Sequence, residues 1–240
     1  MKKLVTACVL FLILQNSYAQ YFHFGLMAAP TFGWYKPDYN ETLGTTNYSI
    51  QSNGLKVGFA YGLMAEFGFT ENYLIATGID VAYRNGSLKY VAQGDSGFSS
   101  MMNRSYTTEY VEVPFTIKLM TNEFGLLKYY AQFGVSLDLN IRAHADIDST
   151  ETYRGINYRG SLSNYNVFGD INPLCMSMII GAGVEYSLQG HTALTFGISF
   201  HNGFIDILKD KDIIDQHGNA QTLSYSAITN YIALNFGIFF

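Results

Sequence analysis

The sequence predicts an all-β chain: an eight-stranded antiparallel transmembrane β-barrel with short turns at one end and four long loops at the other. Three observations carry that expectation. Eight segments alternate large apolar residues with small or polar ones at a period of two. The connections between them alternate in length. And 48% hydrophobic and 16% aromatic residues accompany only 14% charged ones. A barrel reconciles these facts, because only alternate residues of each strand need face lipid. Beyond the N-terminus no charge-free apolar run is long enough for a transmembrane helix.

The chain opens with a basic Met1-Lys2-Lys3, an apolar run from Leu4 to Leu14 and the small residues of Ser17-Tyr18-Ala19. This pattern predicts a secretory signal over residues 1–19, leaving residues 20–240 as one outer-membrane β-barrel domain. Cys8 lies too early in the apolar run for a lipoprotein box. Removing Lys2 and Lys3 with no acid moves the formal net charge from −5 to −7. Such an acidic chain gives no support to nucleic-acid binding, which would want a basic stripe. Cys175 is then the remaining cysteine, so no intramolecular disulfide is expected.

The strands follow in order. The first spans residues 21–29, with Phe22, Phe24 and Leu26 opposite His23, Gly25 and Met27. In the second, Val57, Phe59, Tyr61, Leu63, Ala65, Phe67 and Phe69 oppose Lys56, Gly58, Ala60, Gly62, Met64, Glu66 and Gly68. Small residues on the second face suit a narrow bore rather than the watered face of a sandwich. The third, residues 73–83, sets Ile75, Ile79 and Val81 against Ala76, Asp80 and Ala82. The fourth sets Val111, Val113, Phe115, Ile117 and Leu119 against Glu112, Pro114, Thr116 and Lys118. The fifth sets Phe133, Val135, Leu137 and Leu139 against Gln132, Ser136, Asp138 and Asn140. The sixth sets Ile180, Val184 and Tyr186 against Ile179, Gly181 and Glu185. The seventh sets Leu194, Phe196, Ile198 and Phe200 against Thr195, Ser199 and His201. The eighth ends the chain, with Ile232, Leu234, Phe236, Ile238 and Phe240 on one face. A last strand of this kind must pair with the first to close a barrel. Its Phe236, Ile238 and terminal Phe240 resemble the assembly signal read by the bacterial barrel-assembly machinery.

Tight turns at residues 70–72, 121–125 and 188–191 join strands two to three, four to five and six to seven, and the other four connections are polar and roughly twenty to thirty residues long. That alternation predicts both termini in the periplasm and four extracellular loops. Trp34, Tyr35 and Tyr83 fall near the outer strand ends and Tyr73, Tyr129 and Tyr186 near the inner ends, where interfacial rings belong.

Tyr110-Val-Glu-Val-Pro114, Leu127-Lys-Tyr-Tyr-Ala-Gln-Phe-Gly134 and Gly181-Ala-Gly-Val-Glu185 resemble stretches of the PorT-type outer-membrane β-barrel family of the Bacteroidetes. The resemblance covers the mature chain and implies an eight-stranded barrel. It leaves protein secretion, the type IX pathway in which the founding member is implicated, as one role among several.

The inward faces hold Lys56, Glu66, Asp80, Glu112, Lys118, Asp138 and Glu185, with Arg84 and Arg142 near the outer rim. Unpaired charges in so narrow a bore are costly, so the expectation is a salt-bridged network that fills it, with Glu112 and Lys118 as a pair on one face. The functional alternative is a narrow ion path. Ser199 and His201 invite comparison with lipid A deacylases, with Asp206 close by, but their register points into the bore and away from lipid. Acidic groups cluster in two loops: Asp146, Asp148 and Glu151, then Asp206, Asp210, Asp212 and Asp215. The glycine and distal glutamate of a full calcium loop are missing, so solvated loop charge is the expectation, with divalent bridging to lipopolysaccharide as the alternative. Cys175 is read as an inward filler.

The resulting expectation is a non-enzymatic outer-membrane barrel without cofactor or metal, structural or accessory, in contact with outer-membrane lipid, lipopolysaccharide and surface or secretion partners, and with no nucleic acid. The alternatives are an accessory part of type IX-like secretion, a porin-like small-solute channel, and an enzyme acting on lipid.

Overall fold

In this computed structural model the described residues are 21–240, apart from 39, 44–45, 95–96, 189–191, 210, 215–219 and 224–225, with backbone alone at 40–43, 211–214 and 220–223. The expected signal segment, His191, Asp210 and Asp215 therefore lie outside the described residues, as does the side chain of Asp212.

Thirteen strands occur among the described residues. They are β1 (Tyr21–Pro37), β2 (Asn40–Leu43), β3 (Thr46–Ser52), β4 (Lys56–Thr70), β5 (Tyr73–Gln93), β6 (Ser99–Met120) and β7 (Leu127–Tyr153). After them come β8 (Ile156–Asn166), β9 (Leu174–Ser187), β10 (Ala193–Gly203), β11 (Lys211–Ile214), β12 (Ala220–Leu223) and β13 (Ala227–Phe239). Eight of them, β1, β4, β5, β6, β7, β9, β10 and β13, pair side by side, every pair antiparallel. The pairing of β5 with β6 closes the ring. The C-terminal strand returns to the first, Gly25 opposite Phe239 and Pro37 opposite Ala227. The start of β1 and the end of β13 thus lie together at the end of the ring that carries the short connections.

Alternation decides which face each residue takes. Val57, Phe59, Tyr61, Leu63, Phe67 and Phe69 of β4 lie on the outside, each at least 45% exposed. Phe115 and Ile117 of β6, Phe133 and Leu137 of β7, and Phe196 and Ile198 of β10 do the same. Between them, buried polar and charged side chains point inward. A fold that buries charge and exposes phenylalanine is inverted relative to a water-soluble core.

The long connections differ from expectation. The stretch between the third and fourth expected strands is a continuation of both: β5 runs on to Gln93, β6 begins at Ser99, and they stay paired from Tyr83–Glu109 out to Gln93–Ser99. Beyond the belt, β2, β3, β5, β6, β7 and β8 form one sheet that rises past the rest of the ring. β7, at 27 residues, is nearly three times as long as the roughly ten residues that a membrane crossing takes. These extensions lack the period of large apolar residues because their outward face does not follow the belt pattern. Their pairing is therefore silent in a hydropathy reading.

A β-bulge marks the rim. Glu109 pairs with Arg142 and Tyr110 with Asn140, so Ile141 is the extra residue on β7. Ile141 and Arg142 both face outward, and inward parity on β7 switches from Ser136 and Asp138 below to Ala143 and Ala145 above. Over the rim sits a cap. Val167 and Ile171 follow β8, around a 3-10 turn at Phe168–Asp170, and Ile207 and Leu208 follow β10; they pack on Tyr35, Leu88, Tyr106, Tyr110 and Ala143. An Ile171–Leu208 bridge and Asn172, whose Nδ2 donates to the Asp206 carbonyl at 2.6 Å, join the two segments.

Tyr35 corrects the aromatic belt expected at the outer end. Its neighbour Trp34 faces out and stacks on Phe200 at 6.1 Å, whereas Tyr35 is 1% exposed inside the cap. A strand cannot send adjacent residues to one face. Gly86 leaves room for it, since a Cβ there would lie 2.6 Å from the Tyr35 ring.

Leu88→Ala removes a wholly buried cap residue and is expected to cost about 3 kcal/mol of stability. Leu55→Ala, at a position 65% exposed, is expected to cost less than about 0.5 kcal/mol. Urea unfolding in detergent micelles reads both, and equal midpoints would rule out the cap as a packed core.

Candidate functional site

Inward parity on β5, β6 and β7 places Asp80, Glu112 and Asp138 abreast: Asp80 is opposite Glu112, and Glu112 is opposite Asp138. Arg84, two pleat repeats further up β5, bends onto this row. Its Nε donates to Glu112 Oε1 at 2.6 Å and its Nη2 lies 2.8 Å from Asp138 Oδ2. Glu112 Oε2 also accepts from the Tyr231 hydroxyl at 2.7 Å, across the bore from β13. Asp138 accepts from Ser136 at 2.5 Å and Ser177 at 3.1 Å. The guanidinium is sandwiched near Tyr110 (4.8 Å) and Tyr231 (5.0 Å). The planar fork of arginine explains its use here, since one side chain reaches two carboxylates on different strands.

A second cluster lies towards the short-turn end. Lys118 of β6 bonds Glu66 of β4 at 2.6 Å and Glu185 of β9, so one ammonium ties three strands together. The Tyr130 ring lies 4.3 Å from its Nζ and the Phe239 ring 5.2 Å. Leu74, Met120 and Tyr130 close the bore below.

Between the clusters is a cavity of about 90 Å³ lined in part by Glu66, Asp80, Thr116, Ser199, His201 and Asn235. His201 lies flat on Tyr231 with centroids 4.1 Å apart. Its Nε2 is 3.1 Å from Ser199 Oγ, which also accepts from Asn235 at 2.9 Å.

Several expectations need correction. Lys56 is exposed at the start of β4, opposite Gly33, and makes no ion pair among the described residues. Arg84 is 2% exposed at the centre of the upper cluster rather than at the rim. Arg142 has been turned outward by the bulge, 69% exposed at its side chain and 3.7 Å from Glu109. Glu112 and Lys118 share a face but not a pair: six residues place them in different clusters, each with its own counter-ion. Ser199 and His201 do meet, inside the ring and without a carboxylate bonded to His201 among the described residues. Asp206 accepts instead from Ser226 at 2.7 Å. Asp146 and Asp148 hold the β7–β8 hairpin, accepting from the Asn164 amide at 2.8 Å and Ser161 at 2.7 Å. Glu151 is exposed opposite Tyr158. No group of three or more potential metal ligands occurs among the described residues. Cys175 is buried against the cap.

Sequence reasoning missed Tyr231, Tyr130, Ser136 and Ser177 as partners of the buried charges. Parity places each inward, but only the shear of the ring decides which strands' side chains meet.

Residues 15–209, 195 of 240, match the family described as outer membrane protein beta-barrel domain. The chain belongs to that family. The outer face of exposed phenylalanine, leucine and isoleucine is thus the surface of an outer-membrane barrel, and the charged bore is its interior. The chain is also similar to solved outer-membrane proteins at low identity. OprG of Pseudomonas aeruginosa shares 10% identity over 93% of this chain and 98% of its own, at a TM-score of 0.47. Neisserial surface protein A shares 11% over 91% and 95%, at 0.43. AlkL, solved in lipid bilayers, shares 12% over 94% and 93%, at 0.42. No curated protein sequence matches the chain.

In an outer-membrane barrel the clusters are far from bulk water, so breaking one leaves like charges face to face. Lys118→Met is expected to cost roughly 3–5 kcal/mol, and adding Glu66→Gln and Glu185→Gln to it is expected to restore most of the loss. Urea midpoints of the single and triple variants measure this. A triple variant no more stable than the single would refute the charge argument.

Proposed function

We propose that the protein is a non-enzymatic outer-membrane barrel that presents a surface for interaction rather than a route for solutes. One contrast carries this reading: the bore is filled at two levels and capped, while the wall continues outward into an exposed hairpin. All eleven residues of β8 are exposed, among them Ile156, Tyr158, Leu162 and Tyr165. Its far edge carries no strand among the described residues. A bare edge with apolar side chains is a template for strand addition by another chain.

The orientation in this reading follows the length of the connections, with short turns and both termini in the periplasm and the risen sheet outside the cell. Phe236 of β13, 46% exposed, and Phe240 just past its end, 54% exposed, then face lipid, as a signal for barrel assembly requires. In the same reading Arg142, exposed just above the apolar belt, is the cation that would meet lipopolysaccharide phosphates. The finer likeness to PorT-type barrels adds protein secretion as the task such a surface would serve.

An epitope inserted at the Arg154–Gly155 turn, where both residues have positive φ (48° and 79°), tests the orientation. Antibody is expected to label it on intact cells, and labelling only after permeabilisation would reverse the topology. Single-channel recording in planar bilayers tests the filled bore. Silence is expected from the folded protein, and steady conductance that shifts in Glu112→Gln would replace this reading with a channel.

A further inference from the structure

The bore holds more negative than positive charge. Its buried ionisable groups are Glu66, Asp80, Glu112, Asp138 and Glu185 against Arg84 and Lys118, a formal sum of −3 from five acids and two bases. Each cation is shared by two carboxylates, which leaves Asp80 without a counter-ion among the described residues. Asp80 is 7% exposed, and its Oδ1 has no hydrogen-bond partner although it is buried. Its neighbour across β6 is another carboxylate, Glu112. Glu66 Oε2 and His201 Nδ1, on the same cavity, are also buried without partners. An uncompensated carboxylate within a membrane is among the costliest features a protein carries.

The local build gives the Asp80 carboxylate room. Gly62 faces it across β4, and a Cβ at that position would overlap Oδ1. The cavity beside it is about 90 Å³, lined by the hydroxyls of Thr116 and Ser199, the amides of Gln132 and Asn235, and Lys118, whose ammonium Glu66 and Glu185 neutralise. At ~30 Å³ per water that is space for one ion with about two waters.

We propose that this cavity is a binding site for one monovalent cation, held by Asp80 and neutral oxygens. The ligand set decides the charge class. A divalent ion of the calcium type takes six to eight oxygens with several carboxylates among them, and no three acidic or histidine side chains converge here. Glu66 lines the same cavity but is bonded to Lys118 at 2.6 Å, which leaves Asp80 as the carboxylate there without a cation among the described residues. A single carboxylate with hydroxyl and amide oxygens suits an alkali ion. The site is independent of what the outer hairpin binds and of the direction in which the barrel is inserted.

Rubidium is the probe. Wild-type protein in detergent is expected to melt several degrees higher in rubidium chloride than in N-methylglucamine chloride of equal ionic strength. Asp80→Asn is expected to melt at the same temperature in both salts. Crystals grown in rubidium chloride are expected to show an anomalous peak beside Asp80, which keeps the test decisive if Asp80→Asn does not fold. A wild-type protein indifferent to the cation, with no such peak, would overturn the site. If Asp80→Asn were then more stable in both salts, a bound proton would be the neutralising species instead.

Discussion

Closure of the ring is the constraint from which the remainder follows. The pairing of β1 with β13 and of β5 with β6 leaves no unpaired strand edge within the belt, and a bilayer tolerates none, because it offers no water to free amides and carbonyls. Once eight strands are joined in this way, the pleat sends alternate residues to lipid and to the bore. The outer face is then free to be apolar without limit. The inner face has little volume, and each inward residue competes with seven other strands for it. Glycine and alanine line much of that face for this reason, and Gly62 and Gly86 leave the space that Asp80 and Tyr35 occupy.

The interior is held by ions rather than by a hydrophobic core. Arg84 and Lys118 each reach strands that are distant in sequence, and each is packed against aromatic rings that exclude water. Such clusters are poor sources of net stability, since desolvation offsets most of the attraction. Their value is geometric. A carboxylate with no alternative partner fixes the register of its strand against the strand carrying the cation, and a slip by one residue would place it in lipid. Within the upper row the carboxylates differ in company: Asp138 is satisfied by two serines as well as by arginine, whereas Asp80 has no counter-ion among the described residues and stands beside a cavity. That asymmetry distinguishes a structural tie from a site.

Above the belt the same strands follow different rules. The bulge at Ile141 rotates the upper part of β7, so that alanines replace acids on its inner face and the cap packs down on Tyr35, Leu88 and Tyr106. Below the bulge the molecule is an inverted membrane protein, and above it an ordinary sheet with a small apolar core. The β7–β8 hairpin belongs to neither, and its exposed apolar residues are the surface least explained by the needs of the fold itself.

The eight belt strands were legible because a period of two in large apolar residues is a local signal, imposed by lipid on every strand independently. The inward positions of Glu66, Asp80, Glu112, Lys118, Asp138 and Glu185 were legible by the same rule, as was the ring-closing role of the last strand. The strand extensions in the connections were not, because a sheet outside the lipid is free of that period. Nor were the partners of the buried charges. The expected pairing of Glu112 with Lys118 rested on their common face, yet contacts in the bore run between strands, and shear brings Arg84 to one and Glu66 and Glu185 to the other. Arg142 shows the limit most plainly: one extra residue in a bulge, invisible to periodicity, reverses parity for all that follows. The sequence by itself determined the class of fold, the belt and the polarity of each face, since these depend on alternation along one strand. Only the tertiary structure decided the ion pairs, the cap and the unmatched Asp80, because these depend on which strands meet and at what offset.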